Sequence, residues 1–132
     1  MNKDNLKSIL REVETIAIVG ASSNPDRDSY KVMKFLQDYG FEVFPVNPNL
    51  SRTKILGKEC YPSLDSIEQP IDMVDVFRAV EYIPGIVNEV IKIKAKILWT
   101  QEGLYSEEAE SLGKSAGLKV VMDKCPKKIL EN

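Results

Sequence analysis

Thr15-Ile16-Ala17-Ile18-Val19-Gly20-Ala21-Ser22-Ser23 is the stretch whose reading decides the fold. Its first five residues are apolar and mostly β-branched, without the alternation of a half-buried strand. Such a continuous run is what a central strand of a parallel sheet needs, because both of its faces are covered. At Gly20 the run stops, and a polar stretch, Ala21 to Asp28, follows it. Gly20 permits a tight turn, and the amides of residues 21–23, with the start of the next helix, suit an anionic phosphate. Arg27 and Lys31 add cations just beyond.

On either side of this turn, the spacing of apolar residues predicts alternating helices and strands. Leu6, Ile9, Leu10 and Val13 recur at helical spacing and predict a lead-in helix over about 4–13. Ser29 is the expected cap of a helix bearing Val32, Met33 and Leu36, with Gly40 as its stop. Residues 41–46 read as a second strand, although Pro45 lacks a ladder donor and suits an edge or a bulge. A short helix is expected over 63–68, and Asp72 to Phe77 is the third strand. Pro84 opens a helix whose Ile83, Ile86, Val87, Val90 and Ile91 share one face. Ala95 to Trp99 is a fourth strand, and Ser106 caps a helix that Gly117 ends. Leu118 to Met122 is the fifth strand.

Strand and helix alternate throughout, which predicts one α/β domain of the Rossmann type: a doubly wound, mainly parallel five-stranded sheet with helices on both faces. The expected strand order is 3-2-1-4-5. Ligands of such sheets bind at the carboxyl ends of the strands, where the order reverses. Four segments distant in sequence should then converge: the turn after Gly20, the Asn47-Pro48 end, Phe77-Arg78, and Thr100 to Gly103.

Composition removes several function classes. Histidine is absent from the 132 residues, which excludes a Ser-His-Asp triad, a Cys-His pair, histidine metal sites and a phosphohistidine. The two cysteines, Cys60 and Cys125, lack metal-ligand spacing and are expected as free thiols in a cytoplasmic protein. A net charge of −2 gives no basic field for nucleic acid. No apolar run approaches the roughly 18 residues of a membrane span, and the first residues do not read as a signal peptide. Glu102 is the one carboxylate near the expected crevice, and an unpaired exposed glutamate is most often surface solvation.

Two departures from the dinucleotide fingerprint G-x-G-x-x-G turn the site away from NAD. Gly20-Ala21-Ser22-Ser23-Asn24-Pro25 lacks the second and third glycines. The acid expected at the end of the second strand for the ribose hydroxyls is also missing, and Asn47 stands there.

Ile16-Ala17-Ile18-Val19-Gly20-Ala21-Ser22, Ser29-Tyr30-Lys31-Val32, Val46-Asn47-Pro48, Ile55-Leu56-Gly57 and Cys60-Tyr61-Pro62-Ser63 resemble the small stand-alone CoA-binding proteins. So do Val74-Asp75-Val76-Phe77-Arg78, Trp99-Thr100-Gln101-Glu102-Gly103 and Val120-Val121-Met122-Asp123-Lys124-Cys125-Pro126. These proteins are similar to the nucleotide-binding domain of the succinyl-CoA ligase α subunit. The resemblance implies that coenzyme A, or an acyl-CoA, is the cofactor. It implies that Gly20, Ala21, Ser22 and Ser23 wrap the pyrophosphate, with Arg27 a candidate cation and Ser29, Tyr30 and Lys31 close by. Asn47 and Pro48 would border the adenosine, Phe77 and Arg78 the crevice floor, and Gln101 to Gly103 the pantetheine arm. Arg52 and Lys54 are weaker candidate cations, and Cys125 could face the thiol end.

The chain lacks the ligase's second domain and its histidine, so a binding module without catalytic machinery is the leading expectation. An NAD(P)-dependent oxidoreductase-like domain is one alternative. The other is the CoA-binding subunit of a split acyl-CoA ligase. The small-molecule ligand is the expected partner; monomer, homodimer and ligase-type partner subunit stay open.

Overall fold

Five strands run parallel in one sheet, and the helices between them cover both of its faces. The computed structural model describes residues 2–131. Helix α1 (Lys3–Arg11) leads into β1 (Thr15–Val19), α2 (Asp28–Tyr39) and β2 (Glu42–Val46). A short antiparallel hairpin follows, β3 (Lys54–Ile55) and β4 (Lys58–Glu59), and then β5 (Met73–Val76). Helix α3 (Ile83–Lys92), β6 (Ile97–Thr100), α4 (Glu107–Ser115), β7 (Lys119–Val121) and α5 (Pro126–Leu130) complete the order.

The main sheet has the order β2-β1-β5-β6-β7, with every pair parallel. The Rossmann-like α/β architecture is thus as expected, but the strand order 3-2-1-4-5 is corrected. The third major strand, β5, pairs with β1 on the side opposite β2, with Ile18 beside Asp75 and Val19 beside Val76. Pro45 gives the physical reason. With no N–H to donate it suits an edge strand, and β2 is that edge. Its carbonyl accepts from the Tyr61 N–H on the outer side, where a single parallel bridge joins Val46 and Tyr61.

Apolar residues at helical and strand spacing build two cores. On one face Ile16, Ile18, Met73 and Trp99 pack against Leu6 and Leu10 of α1, Val32, Met33 and Leu36 of α2, and Ile129 of α5. On the other, Ala17, Val74, Val76 and Leu98 pack against Ile83, Val87 and Val90 of α3 and Ala109 of α4. Burying both faces is why these strands carry no alternation.

Local expectations fare differently. Ser106 caps α4 by accepting from Ala109 N–H at 3.1 Å, and Pro84 sits in the first turn of α3. Ser29, by contrast, is not the cap of α2. Arg27 takes that position with extended backbone and supplies no side-chain hydrogen bond, while Ser29 is buried inside the first turn. The helix expected over 63–68 is a single 3-10 turn, Leu64–Ser66. No helix among the described residues is long and apolar enough to cross a membrane.

Candidate functional site

In the observed order the chain leaves β1 towards β2 and returns past it to β5, so the crevice opens over the carboxyl ends of β1 and β5. These ends almost touch. Gly20 has φ +90°, and a Cβ there would fall 2.9 Å from the Phe77 carbonyl oxygen and 3.2 Å from Arg78 Cδ. Glycine is demanded twice, by backbone conformation and by space.

Two cavities meet at Gly20 and Asn47. One, of about 490 Å³, is lined by Gly20, Ala21, Ser22, Arg27, Ser29, Asn47 and Phe77 among the expected residues. The other, of about 390 Å³, is lined by Gly20, Asn47, Pro48 and Arg78, together with Ser63, Ile86 and Glu89. The topology therefore brings together most of the expected residues. Ser23, Tyr30, Lys31, Gln101 and Gly103 line neither cavity, and neither do Arg52 and Lys54.

The loop after Gly20 is held by its own polar groups. Gly20 N–H and Ala21 N–H both donate to the Val46 carbonyl, at 3.0 and 3.2 Å. The Ala21 amide is thus engaged, so of the amides of residues 21–23 expected to suit a phosphate, those of Ser22 and Ser23 remain for it. Ser22 Oγ accepts from Asn24 N–H at 3.0 Å, and Asn24 Oδ1 accepts from Asp26 N–H at 3.0 Å. Among the described residues the amides of Ser22 and Ser23 have no partner. The Asp28 and Ser29 amides at the start of α2 have none either, because the Arg27 side chain does not cap them, whereas Tyr30 and Lys31 N–H donate to the Arg27 carbonyl. Donors therefore gather at this end of the first cavity, where the helix dipole also favours negative charge.

Asn47 is a latch rather than a free donor. Its Nδ2 donates to the Ala21 carbonyl at 2.9 Å, and its Oδ1 accepts from Asn49 N–H at 2.9 Å. One end of the amide ties the β2 terminus to the Gly20 loop, and the other caps the turn that follows β2. Cys60 Sγ donates to the Asn47 carbonyl at 3.7 Å, and burial pushes that thiol's pKa up.

Arg78 lies over the Tyr82 ring, 4.4 Å from its centroid, at the rim of the second cavity. The loop from Thr100 to Leu104 is fastened to the exit of β7. Gly103 N–H donates to Asp123 Oδ1 at 2.6 Å, and Trp99 Nε1 donates to the Lys124 carbonyl at 3.0 Å. Glu102 accepts from Lys128 Nζ at 2.8 Å. Lys128 titrates above its ordinary value, chiefly through that hydrogen bond, with smaller contributions from nearby charges that include Asp28.

Sequence reasoning missed Asp26, Asp28 and Leu50 in the first cavity and Ser63, Ile86 and Glu89 in the second. Asp28 opens α2, where an acid complements the helix dipole, so its position was itself a signal. Both aspartates oppose a phosphate by charge, and Arg27 between them offsets part of that. Among the described residues no cluster of acids and cysteines could hold a metal ion.

A family model for a CoA binding domain matches residues 14–131. This chain belongs to the CoA binding domain family. YneT of Bacillus subtilis (strain 168), an uncharacterised protein, is 43% identical to it over 126 residues, covering 96% of this chain and 92% of YneT. The solved cell-free ID.343 structure from Thermus thermophilus shares 33% identity and a TM-score of 0.93, covering 98% of this chain and 96% of that one. An ADP-forming acetate–CoA ligase of Methanocaldococcus jannaschii is 29% identical over 89 residues, which is 66% of this chain and 12% of the ligase. The CoA binding domain thus corresponds to a small part of that enzyme, and the resemblance read from the motifs is borne out at the level of the family.

Proposed function

We propose that this CoA binding domain holds coenzyme A, or an acyl-CoA, in the crevice over β1 and β5, and that it acts as a binding module. One observation carries the reading. Two cavities of complementary character meet at Gly20 and Asn47, one rich in free backbone donors and one carrying Arg78. Coenzyme A presents a diphosphate and a separate 3′-phosphate on the ribose that carries it, with the amide-bearing pantetheine arm beyond the diphosphate. Such a ligand needs donors at two places along one groove.

In this reading the Ser22 and Ser23 amides and the start of α2 hold the diphosphate. Ser29 and Arg27 flank it, with Tyr30 and Lys31 on the first turn behind them. Pro48 and Arg78 border the second cavity. Gln101 to Gly103 form the crevice's far wall rather than its lining. The NAD alternative is disfavoured by Asn47: it puts no carboxylate at the β2 terminus for a ribose diol, and its amide is already tied to Ala21 and Asn49.

A role as the CoA-binding subunit of a split acyl-CoA ligase is the second reading, favoured by the similarity to ADP-forming ligases. Mass spectrometry of small molecules released from the purified protein tests the primary reading. Coenzyme A or an acyl-CoA is the expected mass, and a nicotinamide dinucleotide would contradict it. Co-purification with a larger ligase-type polypeptide would favour the second reading.

A further inference from the structure

On the face of the sheet covered by α1, α2 and α5, the last two rows of side chains below the crevice are Ile18, Asp75 and Trp99, then Gly20, Phe77 and Gln101. Gly20 and Phe77 line the first cavity. Asp75 stands two residues before Phe77 on β5, about 7 Å below it at the rise of a strand. Its side chain is fully buried, and neither carboxyl oxygen has a hydrogen-bond donor. Gln101 Oε1, one residue past the end of the neighbouring strand β6, is buried without a donor as well. These three oxygens are the unpartnered buried side-chain polar atoms among the described residues, and all belong to these two rows.

Nothing around Asp75 compensates its charge. Its register neighbours are Ile18 and Trp99. The titratable and charged groups of the covering elements are Lys3, Asp4, Lys7 and Arg11 on α1, and Asp28, Tyr30, Lys31, Lys34, Asp38 and Tyr39 on α2. Cys125 precedes α5, which carries Lys127 and Lys128. None is hydrogen-bonded or ion-paired to Asp75. A carboxylate left without donor or cation is strongly disfavoured in such a place. Burial accordingly holds its pKa well above the ordinary carboxylate value.

We propose that Asp75 is a proton-operated control on the crevice above it: neutral, it leaves the floor beneath Gly20 and Phe77 receptive to a phosphate group, and ionised it opposes that group. The proposal rests on the reading of the crevice as the coenzyme A site. Proton and ligand are then linked reciprocally, so an anion above Asp75 raises the carboxyl's own titration midpoint.

The test combines two measurements. In the wild-type protein the ¹³C resonance of the Asp75 carboxyl is followed against pH, without and with coenzyme A. It should report a carboxyl that keeps its proton well above the ordinary carboxylate range, with a midpoint that rises when the ligand is added. Coenzyme A is then titrated calorimetrically into wild type and Asp75→Asn across the pH range of that transition. The two proteins should bind within about twofold of each other below it, and wild type should be weaker by about tenfold above it, or 1.4 kcal/mol. Ionisation of the ligand's own phosphates is common to both proteins and cancels in the ratio. A carboxyl that titrates in the ordinary carboxylate range, or one that stays protonated up to alkaline unfolding, overturns the proposal and needs no variant. Parallel affinity profiles overturn it while leaving the crevice reading intact. Absence of coenzyme A binding by both proteins at every pH overturns the crevice reading, and the proposal with it.

Discussion

Ser22 shows how a single side chain can be both local architecture and a lever on the ligand. Its Oγ accepts the Asn24 N–H, a bond that an aspartate could make equally well. Ser22→Asp therefore keeps the turn and adds a negative charge where the free amides gather. Coenzyme A binding should weaken at least tenfold, about 1.4 kcal/mol, with the thermal midpoint unchanged; calorimetry and a melt check both halves. Asp75 makes a different statement, about stability. Its folded pKa lies above the ordinary value of about 3.9. Between those two values the unfolded chain is ionised while the folded one keeps its proton, so wild-type stability falls as pH rises, by about 1.4 kcal/mol per pH unit. Below the ordinary value this contribution vanishes, and above the folded pKa it levels off. Asp75→Asn should gain stability over wild type as pH rises above about 4 in denaturant unfolding, and a constant difference would contradict the assignment. Gly20 was legible in the sequence, because a glycine ending a buried apolar run signals a turn. Asn47 was not: its residue type says that it can hydrogen-bond, and only the fold shows that Ala21 and Asn49 already occupy it.

At the scale of elements, the alternation of strand and helix was legible because doubly buried strands and amphipathic helices leave different periods in the chain. The β3–β4 hairpin was not, since two residues per strand are too few for any period. It is made by Leu56 and Gly57, both at positive φ, 51° and 81°, the backbone of a tight hairpin turn. Helix α5 escaped for a similar reason, because its five residues are too few for a helical period. The strand order was misread although Pro45 carried the correction, a proline that belongs at an edge. Asn47 joins two of these elements, so Asn47→Ala should act on both. Losing it leaves the Ala21 carbonyl and the Asn49 N–H unpaired and should cost about 1–3 kcal/mol. Hydrogen exchange at the Gly20 and Ala21 amides, which are bonded to Val46, should quicken along with the loss of stability. Exchange unchanged from wild type would show that the backbone bonds to Val46 hold the loop without the latch.

For the molecule as a whole, strand topology decides where a ligand can sit, and local hydrogen bonding decides which residues meet it. The convergence of Gly20, Asn47 and Phe77-Arg78 follows from parallel strands ending at one edge, which is why the sequence could foretell it. Gln101 to Gly103 end at the same edge but line neither cavity, because Asp123 and Lys128 hold their loop against the exit of β7. No strand order reveals that. The free amides of the Gly20 loop and α2, Arg78 across Gly20 from them, and membership of the CoA binding domain family all support one ligand class. Calorimetric titration of coenzyme A and of NAD into the same protein preparation tests this claim most directly. Saturable binding of coenzyme A with no measurable binding of NAD is the result predicted, and micromolar binding of NAD without binding of coenzyme A would contradict it.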